Sequence, residues 1–198
     1  MYPNLVPLIL FCLATSGTPG PNNILASYSG FNFGIKKTIP LILGVIIGYN
    51  TMLISLDVGL IVIFKQYPVL QTILKILGSF FLIYLAYKIS FSKQSGEKTI
   101  ENPLKFVDTF LFQFVNPKGV VVAIITISTF VETGANYLFH SVVVVCVSLF
   151  FAAFSITFWT LIGKFLRKFA TNNKFIQMFN YAMSFLLILC VIMFYVEI

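Results

Sequence analysis

The sequence predicts an all-α integral membrane protein. We expect six transmembrane helices in two inverted three-helix halves, with spans one and four broken by proline, glycine and asparagine. Three observations carry this. Hydrophobic residues make up 59% of the 198 residues and charged residues only 10%, against about 25% charged in a soluble domain. The apolar residues fall into six long runs separated by short polar stretches. Helix-breaking segments of the same kind interrupt the first run and the fourth.

A soluble globule with so few charges would expose large apolar patches. The composition excludes an ordinary cytosolic enzyme, a disordered chain and a secreted disulfide scaffold. A span needs roughly 20 apolar residues. The chain therefore holds a single transmembrane domain over residues 1–198, with no room for a soluble one. Half one covers about residues 1–89, half two about 106–198, and a cytoplasmic loop about 90–105 joins them. The net charge of +7 does not point to nucleic acid. The basic residues punctuate apolar runs and do not form one face of a folded domain.

The first run is Tyr2 to about Phe31, interrupted by the segment Gly17 to Asn23. It lacks a positive leading region, and prolines stand where a small-residue cleavage site would lie, so it does not read as a cleavable signal peptide. The second run spans about Thr38 to Phe64, starts next to Pro40 and carries Gly44 and Gly48, a small-xxx-small packing pair. The third spans about Pro68 to Ile89. The polar stretch Ser90 to Lys105 follows, holding Lys93, Glu97, Lys98 and Glu101. The fourth spans about Phe106 to Val131, with Asn116, Pro117 and Lys118 inside it. The fifth spans about Tyr137 to Ile162, and the sixth about Phe175 to Val196. Membrane strands would alternate over roughly ten residues, and these runs do not.

Orientation follows from lysine and arginine in the short loops. Lys36 and Lys37 follow the first span; Lys88, Lys93, Lys98 and Lys105 follow the third; Lys164, Arg167, Lys168 and Lys174 follow the fifth. These are ten of the thirteen basic residues. The opposite loops carry Lys65, beside Glu132 and His140, which reads as an exposed loop-edge residue. Both termini are expected outside and the three basic loops in the cytoplasm.

Thr18 to Asn22 cannot continue a helix, because Pro19 and Pro21 lack N–H donors and clash with the preceding turn. Such a break is tolerated in hydrocarbon only where it is buried in protein or lines a wet cavity. The fourth span repeats the device. Interrupted spans at matching places of inverted halves point to a transporter's substrate site. A freed helix N-terminus suits a carboxylate, and freed carbonyls suit an ammonium. An amino acid carries both.

Asp57, Lys75 and Lys118 lie inside spans, where a charge costs roughly 2.5–3.5 kcal/mol. Asp57 and Lys75 lie at similar depth on adjacent antiparallel spans and could pair. The two form a static ion pair, or Lys75 snorkels outward, or Asp57 serves as a proton-coupling or gating carboxylate. Lys118 stands near mid-membrane beside the second break. It either binds a substrate carboxylate or clamps the break together. The segment Ser27 to Gly30 superficially suggests an intramembrane serine nucleophile, but no membrane-embedded histidine stands ready as its base. Cys12, Cys146 and Cys190 lie far apart within apolar runs, with no CxxC pair, and read as small buried hydrophobes.

These residues resemble the LysE/RhtB family of amino-acid exporters. The resemblance rests on Ser16-Gly-Thr-Pro-Gly-Pro-Asn-Asn-Ile-Leu25, Phe33-Gly34, and the pair Gly44 and Gly48. It continues through Leu77-Gly78, Tyr84-Leu-Ala-Tyr-Lys88, Phe112-Gln-Phe-Val-Asn-Pro-Lys118 and Ser128-Thr-Phe-Val131. Within the family, the wording looks most like the cysteine and O-acetylserine exporter branch. The resemblance implies efflux of an amino acid or derivative across the bacterial inner membrane, driven by the proton gradient and needing no cofactor or metal. It implies that Pro19, Gly20, Pro21, Asn22 and Asn23 form one broken element and Asn116, Pro117 and Lys118 the other.

The expected protein is therefore a secondary carrier and not an enzyme. Its partners would be a small-molecule substrate and membrane lipids, with room for a homo-oligomer. A membrane thiol-disulfide electron carrier and a small-cation exporter are the alternatives. The first needs a redox cysteine in the first span of each half, and the fourth span has none. The scarcity of intramembrane acids and histidines argues against a divalent-cation site. Replacing Cys12, Cys146 and Cys190 together should leave transport intact; loss of a thiol-transfer activity would establish the electron carrier instead.

Overall fold

Proline positions set several helix starts. The computed structural model describes residues 5–91, 103–132 and 134–196. Helix α1 covers Leu5–Gly17, α2 Pro21–Ser55, α3 Ile61–Gln66, α4 Pro68–Ser90, α5 Phe106–Val115, α6 Pro117–Phe130, α7 Tyr137–Arg167 and α8 Asn173–Met193. Pro21, Pro68 and Pro117 each occupy the first turn of a helix, where the missing N–H would have had no helical partner anyway. A π-helical turn, Leu56–Leu60, joins α2 to α3. Gly59 within it takes φ 143°, a conformation L side chains rarely adopt. Asn172 caps α8, its Oδ1 accepting from Phe175 N–H at 2.8 Å.

The helical run Pro21–Gln66 covers 46 residues, but it is not one rod. Gly34 interrupts it with φ 75° and ψ 174°. In a straight helix Ser29 and Thr38 would stand about 13 Å apart along the axis, yet their hydroxyls meet at 2.8 Å. Asn23 and Tyr49 line the same cavity. The chain therefore doubles back at Gly34 and makes two arms, 21–33 and 35–55. This corrects the expectation of a basic loop at Lys36 and Lys37. Both lie on helix, and the reversal needs only the glycine just before them.

Among the described residues, four helices are long and apolar enough to cross a membrane, counting Pro21–Gln66 once, and α5 with α6 makes a fifth if taken as one span bent by 63°. The bend falls at Asn116, where the sequence places it. The cytoplasmic loop expected at about 90–105, with Lys93, Glu97, Lys98 and Glu101, lies mostly outside the described residues. Tyr2 does as well.

The first arm of α2 is the centre of the fold. Residues 21–31 are buried apart from half-buried Asn22. Helix α7 lies directly against this arm, because Gly30 faces the Thr160 backbone and Gly163 faces the Ser27 backbone. Ser27 Oγ donates to Trp159 O at 2.9 Å across the same contact, which gives that serine a structural partner. The second arm packs on α5 through Gly44 and Gly48, set against the backbone at Phe106 and Phe110. Helices α4 and α8 pair through Ser184 Oγ, which donates to Ala86 O at 2.7 Å. Outward, the helices present large apolar side chains such as Leu10, Phe80, Phe150 and Phe185, as lipid requires.

A side chain at Gly163 has nowhere to go, since its Cβ would run into the Ser27 carbonyl. Gly163→Val should destabilise the protein by about 1–3 kcal/mol through overpacking, read as a lower thermal midpoint in detergent.

Candidate functional site

The two helix breaks meet. Helix α1 ends at Gly17 and α2 starts at Pro21. Helix α5 ends at Val115 and α6 starts at Pro117. A cavity of about 110 Å³ lies where these ends converge, walled otherwise by α7 and the second arm of α2. For scale, a dry cavity of about 150 Å³ accepts benzene. Of the residues expected at the site, Gly20, Pro21, Asn22, Asn23, Asn116 and Lys118 line this cavity. Pro19 and Pro117 are not part of its wall. Pro19 contributes a carbonyl behind it, and Pro117 begins α6.

Lys118 ties the breaks together. Its Nζ donates to Thr18 Oγ1 at 2.7 Å, Thr18 O at 3.2 Å and Pro19 O at 3.3 Å. An ammonium has three N–H donors, and here all three go to the first break. Of the two roles open to Lys118 from sequence, this geometry has the clamp in place. It also occupies two of the carbonyls expected to receive a substrate ammonium. Gly20 is small because Lys118 passes over it; a Cβ there would lie 2.9 Å from Lys118 Cδ and Nζ.

Asn22 and Gln113 form a reciprocal amide pair, at 2.8 Å and 3.1 Å. Asn23 Nδ2 donates to Ser16 O at 2.9 Å and Thr18 O at 3.0 Å. Ser155 Oγ, on α7, donates to Ser16 O at 2.8 Å. The carbonyls of the first break are thus covered by side chains.

The N–H groups are not. The first helical bond of α2 is Ile24 N–H to Gly20 O, and that of α6 is Val120 N–H to Asn116 O. The N–H groups of Asn22, Asn23, Lys118 and Gly119 precede them, and no side chain caps either helix. Asn116 holds the cap position of α6 but does not cap it. It is 1% exposed, and its Oδ1 has no hydrogen-bond partner. An asparagine in that position ordinarily caps. The cavity therefore presents two positive helix ends, an ammonium and a free carbonyl-type acceptor. Chemically, that set matches a small ligand with a carboxylate and an adjacent donor.

Asp57 and Lys75 are not brought together. The single ion pair among the described residues is His140 with Glu132, at 3.7 Å. Lys75 Nζ instead lies 4.4 Å from the centre of the Tyr195 ring. Asp57 sits half-buried in the π-helical turn, and its backbone carbonyl accepts from Tyr137 OH at 3.1 Å. His140 is not an exposed loop-edge residue but lies in the first turn of α7, 5% exposed. All three cysteines are free. Cys12 is buried in the cavity wall, whereas Cys146 is exposed and Cys190 half-buried.

Sequence reasoning missed Gln113, Ser148, Ser155 and Tyr49. Gln113 lies within the motif before Asn116 but was not singled out. Ser148, Ala152 and Ser155 recur at i, i+4 and i+7 on α7, a stripe of small residues that marks one helix face and carried the available signal.

Comparison with known proteins identifies a family. The family described as "LysE type translocator" matches residues 13–197. The chain is 28% identical to the "Cysteine/O-acetylserine efflux protein" of Salmonella paratyphi A over 196 residues, covering 95% of this chain and 98% of the relative. The protein of that name from Salmonella typhi gives the same values. The one from Escherichia coli O139:H28 is 27% identical over 185 residues, 92% of each chain. No solved structure matches the chain.

Removing one amide of the Asn22–Gln113 pair strands the other. Gln113→Leu should cost about 1–3 kcal/mol. The double variant Asn22→Leu with Gln113→Leu should recover part of that loss, the excess over additivity measuring the pair. Thermal unfolding in detergent checks both.

Proposed function

The chain belongs to the LysE translocator family, and from that premise we propose that it exports a small amino acid or amino-acid derivative from the cytoplasm. The observation that carries the reading is the convergence of two uncapped helix N-termini, Lys118 and the unpaired Asn116 Oδ1 on one cavity. The substrate carboxylate takes the N–H groups opening α2 and α6 and draws a donor from Lys118. Its ammonium takes Asn116 Oδ1. It takes this oxygen and not the freed carbonyls of the first break, because Lys118 and Asn23 hold the Thr18 and Pro19 oxygens. Cysteine and O-acetylserine, which the relatives' names give as their substrates, are the first to try.

The carrier works by alternating access and is driven by the proton gradient. Counting α1 with the first arm of α2 as one broken span, and the second arm as another, gives six spans in two inverted halves. With ten of the thirteen lysines and arginines following the first, third and fifth spans in sequence, the positive-inside rule favours both termini outside the cytoplasm in a bacterial inner membrane. Asp57 is the coupling acid in this scheme. It lies in a π-helical turn, a feature frequent at functional sites.

A carboxylate binds an ammonium more strongly than neutral carbonyls do, since charge-assisted bonds are roughly twice as strong. Binding therefore draws Lys118 from Thr18 and Pro19 and loosens the link between the two breaks. Lys118→Ala should abolish export while the protein still inserts. Gly20→Ala, which displaces the lysine without removing its charge, should weaken export less. The measurement is efflux of radiolabelled L-cysteine from loaded vesicles, and unchanged efflux in Lys118→Ala would remove the lysine from the mechanism.

A further inference from the structure

Among the described residues, buried serine and threonine hydroxyls are satisfied with one exception. Thr126 and Thr160 donate to the carbonyl four residues back, at 2.7 Å and 2.8 Å, the usual resolution for a hydroxyl in an apolar helix. Ser27, Ser155 and Ser184 donate across helix contacts to Trp159, Ser16 and Ala86. Among the buried serines and threonines of the described residues, Ser148 alone has an Oγ without a hydrogen bond, although it is only 4% exposed. Leaving a buried polar group unmet is costly, and such a group calls for a specific partner.

The location of Ser148 supplies one. It lines the same cavity as Asn116 and Lys118, from α7. The Cys12 thiol on the same wall is its neighbour, but a thiol is a weak partner and the contact falls outside hydrogen-bond geometry. Among the described residues, two unpaired buried side-chain atoms thus belong to this cavity, Asn116 Oδ1 on α6 and Ser148 Oγ on α7. The helix ends and Asn116 account for the carboxylate and ammonium of an amino acid. Ser148 is left for whatever the side chain carries.

We infer that Ser148 is a specificity-determining residue: its hydroxyl hydrogen-bonds a polar atom on the first or second position of a short substrate side chain, selecting a hydroxyl, thiol or ester over a plain alkyl group. The inference rests on the exporter reading. A hydroxyl both donates and accepts, so it serves a thiol, an alcohol or an ester carbonyl alike. The small cavity keeps the side chain short.

The test uses purified full-length protein in proteoliposomes, with L-cysteine kept reduced, L-serine and L-2-aminobutyrate as probes. The last replaces the thiol of cysteine by a methyl group, at similar size. Ser148→Ala should raise KM for L-cysteine and L-serine by about tenfold, the loss of one buried hydrogen bond, and leave KM for L-2-aminobutyrate within about twofold. Ser148→Thr keeps the hydroxyl and should restore the preference, which separates recognition from damage to the fold. Equal changes for all three probes, or none, would overturn the assignment. Wild-type protein that moves other amino acids but none of these also overturns it and leaves the exporter reading standing. Transport of no amino acid at all removes both.

Discussion

Hydrocarbon contains nothing that can hydrogen-bond an exposed peptide group, and the rest of this structure follows from how that demand is met at Thr18 to Gly20. The broken backbone there frees carbonyls at Ser16, Thr18 and Pro19. Each is taken by a side chain from elsewhere: Asn23 from the same helix hairpin, Ser155 from α7, Lys118 from α6. The cover is one-sided. Acceptors are closed while the N–H groups that open α2 and α6 stay uncapped. With these backbone acceptors taken and the helix N–H groups free, the cavity carries positive potential and favours anionic groups, while Asn116 Oδ1 stays available as an acceptor.

The same demand explains why the first arm of α2 lies at the centre. Only protein on every side can shield a break in mid-membrane, so residues 21–31 are buried nearly all round. Helices packed that closely need small residues where backbones meet. Gly30 and Gly163 serve α2 and α7, and Gly44 and Gly48 serve α2 and α5. The reversal at Gly34 then brings Tyr49 and Val45 to the cavity opposite Asn22 and Asn23. The walls of the site are a consequence of burying the break.

Much of this was legible in the chain because proline and glycine act through local sterics. Pro19, Pro21 and Pro117 set helix boundaries whatever surrounds them, and six of the eight residues named for the site from sequence line the cavity. What local chemistry does not encode was read less well. Hydropathy falls at Lys36 and Lys37, yet the reversal needs only Gly34, one non-helical residue with positive φ between two helical arms. Asp57 and Lys75 were matched by depth alone. Depth says nothing about azimuth, and Lys75 lies against the Tyr195 ring instead. Ser148 and Gln113 carry no signal of their own in sequence, because a serine or glutamine in an apolar helix ordinarily finds an internal partner. Only three-dimensional accounting of donors and acceptors singles out Ser148 as the one that has not.

Lys118 holds the consequence of greatest reach. A ligand shifts a conformational equilibrium only as far as its interactions differ between the states. A carboxylate that merely filled an open site would make no such difference. Here the ammonium it must engage already has all three donors committed to Thr18 and Pro19. Any anion that recruits Lys118 therefore removes bonds holding α6 to the end of α1. In the proposed carrier the binding contact and the structural contact are thus the same three N–H groups, and occupancy cannot change without changing the junction between the two breaks. A zwitterion without a carboxylate-strength acceptor would leave the clamp in place and the junction unmoved, so a site of this build rejects it at the opening step even if it fits the cavity.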